Sequence, residues 1–360
     1  MEDKTEFKFY NEDNWADKPI PATLDSEYET KAWGFKKPGE KFAPITIARG
    51  KPGDYDVKVD MRYCGICFTD VCVASNQLGG TMYPVVPGHE LMGVVEEVGS
   101  KVTKVKVGDN VGIGCLCDAC MKCNSCKRGD EQYCEVGGWG HIYNSNKIYD
   151  TMPGNKDVQT FGGYSGSHCV NEHFIMKVPE GMPMEKAAPI LCAGVTMYDP
   201  LRHWGATKGN KMCIGIIGIG GLGTMGIKIA KALGHRVVAI STSASKEAMA
   251  KEKGADAFVV STDEASMAKE AKTCDIILNS VSFPHQVQHY MSLLNNSGTI
   301  VQIGIFTDEH KLNQAPMIFG RHSVAASLIG GIESTEECLA LCAKHNILPD
   351  TVTVTANQLD

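Results

Sequence analysis

The sequence predicts a two-domain α/β protein, a β-rich and mostly antiparallel domain followed by a parallel-sheet domain, and three observations carry that prediction. The chain has 360 residues, more than one ordinary hydrophobic core accommodates. Its first half is a succession of short runs rich in Val, Ile and Thr, punctuated by Gly and Pro, such as "YDVKVDMRYC", "GVVEEVGSKVTKVKVGDNVGI" and "HFIMKVPEG". That is the texture of short strands joined by turns. From about Met184 the helix-like stretches "GTMGIKIAKALG" and "SKEAMAKEKGA" alternate with the apolar runs "KMCIGIIG", "HRVVAIS", "CDIILNSV" and "GTIVQIG". Alternation of this kind marks βαβ units on a parallel sheet.

Composition excludes several classes of function. The net charge is −7, the isoelectric point is near 5.9, and the basic residues are scattered, so the electrostatic footprint of a nucleic-acid binder is missing. No apolar run reaches the ~18 residues of a membrane helix. The N-terminus, "MEDKTEFKFYNEDNWADKP", is polar and acidic and lacks the apolar core of a secretory signal, so the expected compartment is the cytoplasm. Fifteen cysteines in that compartment are kept mostly reduced, and clusters of them read as metal ligands rather than disulfides. Residues 1–30 are expected to form a polar extension, 31–192 and 331–360 the β-rich domain, and 193–330 the parallel-sheet domain.

The second half carries a cofactor signature. In "CIGIIGIGGLGTMGIKIAKALG" a buried strand runs into Gly218, Gly220, Gly221, Leu222 and Gly223 and then into a helix. Gly218 permits a tight turn, Gly220 lets backbone approach a pyrophosphate, and Gly223 allows close helix packing, while free N–H groups at the helix start meet the phosphate charge. The bland alternative is a tight structural turn. The flanking strand and helix, and the next strand "HRVVAIS", favour a dinucleotide. An acid at the end of that next strand would hold the ribose 2′-hydroxyl of NAD. The chain has Ser241, Thr242, Ser243, Ser245 and Lys246 there instead, hydroxyls and a cation suited to the 2′-phosphate of NADP(H).

The cysteines then divide into two groups. "CDACMKCNSCKRGDEQYC" holds Cys120, Cys123, Cys126 and Cys134, separated by two, two and seven residues, a spacing that closes a tetrahedron around a structural zinc with no open position. Chance burial of thiols and a redox pair are the rival readings, and no thioredoxin-like βαβ unit surrounds the motif. Cys115 and Cys117 lie just upstream and could compete as ligands, at a spacing that fits less well. Cys67 after a strand, His89 at a turn after "VVPG" and Cys192 in "APILCAGVT" are candidates for a second centre, a Cys₂His grouping that rests on family resemblance and not on spacing. Each of them alone would more often be a core thiol or a satisfied histidine.

Together these motifs resemble the zinc-containing alcohol dehydrogenases over a stretch from about Lys31 to the C-terminus. "GHELMGVVEEVGSKV", Gly88 to Val102, fits that family's zinc signature, and "CGICFTD", the four-cysteine lobe, "APILCAGVTMY" and "GIGGLG" follow in the family's order. "EQYC", "LCAGVT", the hydroxyl-rich loop and the pair Ile329-Gly330 resemble the cinnamyl alcohol dehydrogenase branch more closely. The resemblance implies a GroES-like catalytic domain beside a Rossmann domain, two zinc ions per chain, and hydride transfer between NADP(H) and an alcohol or aldehyde. It implies that Cys67, His89 and Cys192 hold the catalytic zinc, with Glu90 able to move in as a ligand. Asp70 would orient the histidine, and Thr69 would touch the substrate oxygen. Trp139 would line the pocket, with Leu78, Ile305 and Phe319 as weaker candidates. A pocket so lined suits aromatic or medium aliphatic aldehydes, and a homodimer is expected by resemblance alone.

The chain departs from the family pattern in three places. Phe68 stands where relatives carry His or Arg near the cofactor pyrophosphate. Cys72 stands where they carry the histidine that ends the proton relay, so bulk water is expected to finish the relay, with His141 or His168 as the alternative base. The end, "TVTVTANQLD", precedes a further helix and closing strand that relatives have. A zinc-free quinone reductase would lack both ligand sets. A non-catalytic NADPH-binding relative would be expected to lose a ligand or Thr69, and all are present.

Overall fold

A computed structural model describes residues 27–146, 159–305, 309 and 311–359 of the chain. The polypeptide divides into two compact units, one formed by Met1–Cys192, Gly331–Glu336 and Asp350–Asp360, the other by Ala193–Gly330 and Glu337–Pro349.

Among the described residues the first unit contains nine strands: β1 (Glu27–Gly34), β2 (Ala43–Gly50), β3 (Asp56–Cys64), β4 (Leu91–Val98), β5 (Asn110–Ile113), β6 (Leu116–Asp118), β7 (Gly140–His141), β8 (Ser167–Asn171) and β9 (Met176–Lys177). β1 and β2 pair as an antiparallel ribbon, β6 pairs with β7, and the remaining five form an antiparallel sheet in the order β8-β3-β4-β5-β9. Strand alternation sends Ile45 and Ile47 of β2, and Val57 and Val59 of β3, into the interior. Residues 1–26 of the expected N-terminal extension lie outside the described residues. Glu27 to Thr30, expected in that extension, belong to β1, whose backbone pairs with Ala43–Gly50.

The second unit holds β10 (Cys213–Ile217), β11 (Arg236–Ser241), β12 (Ala257–Val260), β13 (Cys274–Asn279), β14 (Leu294–Gln302) and β15 (Ser323–Ala326). They form one parallel sheet in the order β12-β11-β10-β13-β14-β15. That is the doubly wound order whose strand reversal, here beside β10, creates a cofactor crevice at the carboxyl ends. All five residues of β10 are buried, as a strand covered on both faces requires.

The helix Ile332–Lys344 explains where the C-terminal boundary differs from expectation. Glu337–Pro349 groups with the second unit rather than the first. There Glu337 accepts from the Tyr198 hydroxyl at 3.0 Å and pairs with Arg202 at 2.8 Å, while Lys228 Nζ donates to Leu348 O at 2.7 Å. Gly331–Glu336 stays with the first unit. Buried Glu131 accepts from the Ile332 N–H at 3.0 Å and from His173 Nε2 at 2.8 Å.

Candidate metal and cofactor sites

The four-cysteine lobe is held by its own backbone. Cys120, Cys123, Cys126 and Cys134 place their sulfurs within 4.8 Å of one another. The N–H groups of Lys122 and Cys123 donate to Cys120 Sγ at 3.4 and 3.3 Å, and those of Cys126 and Glu135 donate to Cys123 Sγ at 3.5 and 3.4 Å. Such donors favour thiolate over thiol, and those from Cys126 and Glu135 draw the Cys123 pKa down to about 6. Four converging sulfurs fed by N–H donors fit a tetrahedral zinc. Neither upstream cysteine joins them. Cys117 bonds to the carbonyls of Gly140 and His141 at 3.4 and 3.3 Å, and Cys115 hydrogen-bonds with Cys192.

The second cluster draws on three separated stretches. Cys67 caps the helix Phe68–Ala74, His89 and Glu90 immediately precede β4, and Cys192 follows the short 3₁₀ turn Ala188–Leu191. Their ligand atoms lie within 4.8 Å of one another, and His89 Nε2 is 3.3 Å from Cys192 Sγ.

Asp70 assembles this cluster from beneath. It is 3% exposed, and its Oδ1 meets His89 Nδ1 at 3.1 Å and accepts from the Gly88 N–H at 3.1 Å. Its Oδ2 accepts from the Cys67 N–H at 3.0 Å and the Tyr164 hydroxyl at 3.0 Å. Burial alone would raise the Asp70 pKa, but His89 and these donors outweigh it and hold the carboxyl below its ordinary value. An ionised Asp70 fixes the proton on Nδ1 and leaves the Nε2 lone pair facing the cysteines, the tautomer that metal ligation requires.

Glu90 carries the clearest sign that a cation belongs here. It is 3% exposed, and its Oε2 finds no hydrogen-bond donor among the described residues. Burial pushes its pKa up to about 8, with the charges of Cys67 and Asp70 adding to the rise and His89 opposing it. A Cβ on Gly65 would sit 1.8 Å from that oxygen, so glycine is the residue that leaves the carboxylate room. Two thiols, an imidazole and a buried carboxylate with one unpartnered oxygen form a donor set that fits zinc.

The remaining expected residues fall out unevenly. Thr69 Oγ1 lies 3.6 Å from Cys67 Sγ, and buried Cys72 follows one turn later on the same helix. Phe68 is exposed at the helix start. Trp139 lies tilted against His141, their ring centroids 5.4 Å apart, and the His141 ring is 5.8 Å from that of His89. Leu78 is exposed on the first unit, and Ile305 and Phe319 are exposed on the second. Of the two candidate replacement bases, His168 is buried in β8 with Nε2 3.1 Å from Phe161 O, and burial with nearby Arg49 holds its pKa well below normal. His141 is the one beside the cluster. Its Nδ1 lies 2.8 Å from Tyr143 O, and burial lowers its pKa to about 4. Sequence reasoning misses Tyr164 and weighs Cys115 only as a competitor for the four-cysteine lobe, because nothing local in "FGGYSG" or "GIGCLCD" points to Asp70 or Cys192.

On the second unit the glycine turn has the form a pyrophosphate needs. Gly218 has φ +88°, and a Cβ on Gly223 would lie 1.9 Å from Gly218 O, so both positions demand glycine. Gly220 and Gly221 face open space, leaving backbone N–H groups approachable at the start of the helix Gly221–Ala232. Lys246 Nζ reaches across to Ile219 O at 2.7 Å, which brings the cation of the hydroxyl-rich loop to the turn. Ser241 accepts from the Ser243 N–H at 3.2 Å, Ser243 and Ser245 hydroxyls are 2.8 Å apart, and Thr242 is exposed. These groups fit a 2′-phosphate.

Comparison with known proteins agrees with this architecture. Residues 53–180 match the alcohol dehydrogenase GroES-like domain family, and residues 221–344 match the zinc-binding dehydrogenase family. The chain is 43% identical over 327 residues to a vomilenine reductase of Rauvolfia serpentina, covering 90% of this chain and 88% of that protein. Its structure is similar to that of a cinnamyl alcohol dehydrogenase of Sorghum bicolor, with a TM-score of 0.85, 37% identity and 91% of each chain covered. A cinnamyl alcohol dehydrogenase of Helicobacter pylori complexed with NADP(H) aligns with a TM-score of 0.83 at 31% identity over 93% of each chain.

The Tyr164 hydroxyl bond predicts a measurable weakness. Tyr164→Phe removes one donor from Asp70 without removing the ring, so the cluster at Cys67 should lose zinc to a mild chelator roughly 10-fold more readily, while zinc in the four-cysteine lobe is retained. Time-resolved zinc release distinguishes the two pools. Identical release from variant and wild type would show that Tyr164 does not support the cluster.

Proposed function

The chain belongs to the zinc-binding alcohol dehydrogenases, in their cinnamyl-alcohol-dehydrogenase-like branch, and from that membership we propose that it works as an NADPH-linked reductase of aromatic or medium aliphatic aldehydes. It is an oxidoreductase interconverting alcohol and carbonyl with NADP(H). The observation that carries the reading is the pairing of a Cys₂His-plus-Glu cluster on one unit with an acid-free, hydroxyl-rich loop beside the glycine turn on the other. Zinc supplies Lewis-acid polarisation of the substrate oxygen, and NADPH supplies the hydride.

The chain's own residues do the rest. Cys67, His89 and Cys192 hold one zinc, and Glu90 is the carboxylate that can complete the set when no substrate oxygen is present. Cys120, Cys123, Cys126 and Cys134 hold a second, which stabilises the fold directly. Asp70 keeps His89 in its ligating tautomer. Thr69 hydrogen-bonds the substrate oxygen and hands on its proton. Trp139 presents an aromatic wall to a flat apolar substrate, and Leu78, Ile305 and Phe319 are weaker candidates for substrate contact. Gly218, Gly220, Gly221, Leu222 and Gly223 cradle the pyrophosphate, and Ser241, Thr242, Ser243 and Lys246 receive the 2′-phosphate. Reduction is the favoured direction because cellular NADP pools are kept largely reduced. A cytoplasmic homodimer is the working form, on the grounds of composition and family habit respectively.

The cofactor assignment is tested by Thr242→Asp, assayed with NADPH and NADH against cinnamaldehyde and a medium aliphatic aldehyde. A carboxylate facing the 2′-phosphate should lower kcat/KM for NADPH by about 100-fold or more, a cost of about 3 kcal/mol, and leave NADH little changed. Equal use of both cofactors by the wild type would overturn the assignment. Absence of carbonyl reduction by the zinc-loaded protein would overturn the function itself.

Cys72 makes a second prediction. In alcohol oxidation the proton released to Thr69 must reach a base, and the Cys72 thiol is a poor one, because burial and then the negative charge of nearby Cys67 raise its pKa above the ordinary thiol value. Oxidation should therefore be slow at neutral pH and rise on the alkaline side, with reduction less affected. Cys72→His should move the kcat profile for oxidation toward pH 7. An oxidation profile unmoved by that substitution would remove Cys72 from the relay and leave His141 or solvent as the acceptor.

A further inference from the structure

The second unit carries a thiol pair that neither zinc nor cofactor uses. Cys213 opens β10 and Cys274 opens the adjacent strand β13, and both belong to the same buried cluster, with Val238, Val259, Ile277 and Leu293 among its members. A Cβ built on Gly215 would lie 3.2 Å from Cys274 Sγ, so this thiol leans over β10 two residues from Cys213. Ile214 pairs with Ile276, so Cys274 is one residue out of register with Cys213, and the two thiols are close enough to shift each other's pKa. With neighbouring strands about 4.8 Å apart and an offset of one residue, about 3.3 Å, along the strand, the two Cα atoms fall within the span of about 4.4 to 6.8 Å that a disulfide bridges.

A cation sits on one of the two. Arg236, the first residue of β11, donates from Nη1 to Cys213 Sγ at 3.2 Å and from Nη2 to Glu270 at 2.8 Å. The neutral Thr273 hydroxyl lies 3.8 Å from Cys274 Sγ. Cys274 and the Arg236 charge together lower the Cys213 pKa, whereas Cys274 is held as a thiol by Cys213 and by burial. Exposure follows the same asymmetry, with Cys213 9% exposed and Cys274 fully enclosed. One sulfur is activated at the rim and its partner waits beneath, the arrangement of an attacking and a resolving cysteine. Both lie at the amino ends of their strands, away from the carboxyl ends that carry Gly218 and Ser280.

We propose that Cys213 and Cys274 form a hydroperoxide-reactive dithiol. The Cys213 thiolate attacks the O–O bond of a hydroperoxide, forming the sulfenic acid at Cys213 and, with a proton from solvent, releasing an alcohol, or water when the oxidant is hydrogen peroxide. The Cys274 sulfur then attacks the Cys213 sulfur and expels water, so that two thiols are oxidised to one disulfide and one peroxide is reduced.

The test uses the full-length, zinc-loaded protein treated with equimolar hydrogen peroxide, then unfolded in excess alkylating agent and mapped by peptide mass spectrometry. A Cys213–Cys274 disulfide should be the first oxidation product, and Arg236→Met should form it about 10-fold more slowly at pH 7, with Arg236→Lys restoring most of the rate. In Cys274→Ser the intermediate should accumulate and be captured at Cys213 by dimedone, a readout that still applies if Cys213→Ser folds poorly. Recovery of both cysteines as alkylated thiols while zinc-cluster cysteines oxidise would overturn the proposal. So would a wild-type rate in Arg236→Met.

Discussion

One buried carboxylate organises the metal-binding half of this protein. Asp70 takes bonds from the Cys67 and Gly88 N–H groups and the Tyr164 hydroxyl, and its fourth partner is His89 Nδ1. These groups come from a helix N-terminus, the approach to β4 and the loop before β8, so a single side chain fixes the relative positions of three distant segments. An uncompensated buried carboxylate would be costly. Satisfied by four partners, it becomes the reference point from which Cys67 and His89 are aimed at Cys192. The helix Phe68–Ala74 has only seven residues, too short to hold its place by propensity alone, and Asp70 ties it down from its own first turn.

Glycine does the complementary work of leaving space. Gly65 makes room for Glu90, Gly93 lies against the Asp60 backbone of β3, and Gly223 lets its helix close onto Gly218. In each case the absent side chain admits a polar or backbone group that chemistry or pairing requires. The same logic separates the two centres. The lobe at Cys120 to Cys134 is satisfied by its own N–H donors and is closed, whereas the cluster at Cys67 keeps an orphaned carboxylate oxygen and is chemically unfinished without a cation. A closed set suits structure and an open set suits reaction.

The parts legible in the sequence are those whose information is local. The lobe's cysteines fall within fifteen consecutive residues, the glycine turn within six, and the alternation of apolar runs and helices from Met184 onward signals a parallel sheet. The catalytic grouping was legible only through resemblance, since Cys67, His89 and Cys192 are spread over half of the first unit. Tyr164, Cys115 and the placement of His141 beside His89 were not legible, because each depends on a contact between loops that no spacing encodes. Residues 331–360 are expected in the first domain, whereas the bonds of Glu337 to Tyr198 and Arg202 tie the later turns of the helix Ile332–Lys344 to the second unit. Cys213 and Cys274 looked like ordinary strand residues until β10 and β13 were set side by side.

The central claim is that Asp70 assembles an open zinc site distinct from the closed lobe. Metal analysis of wild type and Asp70→Ala, each purified in excess zinc and then dialysed, tests it most directly. The account predicts two zinc ions per chain in the wild type and one in the variant, with the fold retained because the lobe keeps its metal. Two zinc ions in both proteins, or one in both, would contradict it.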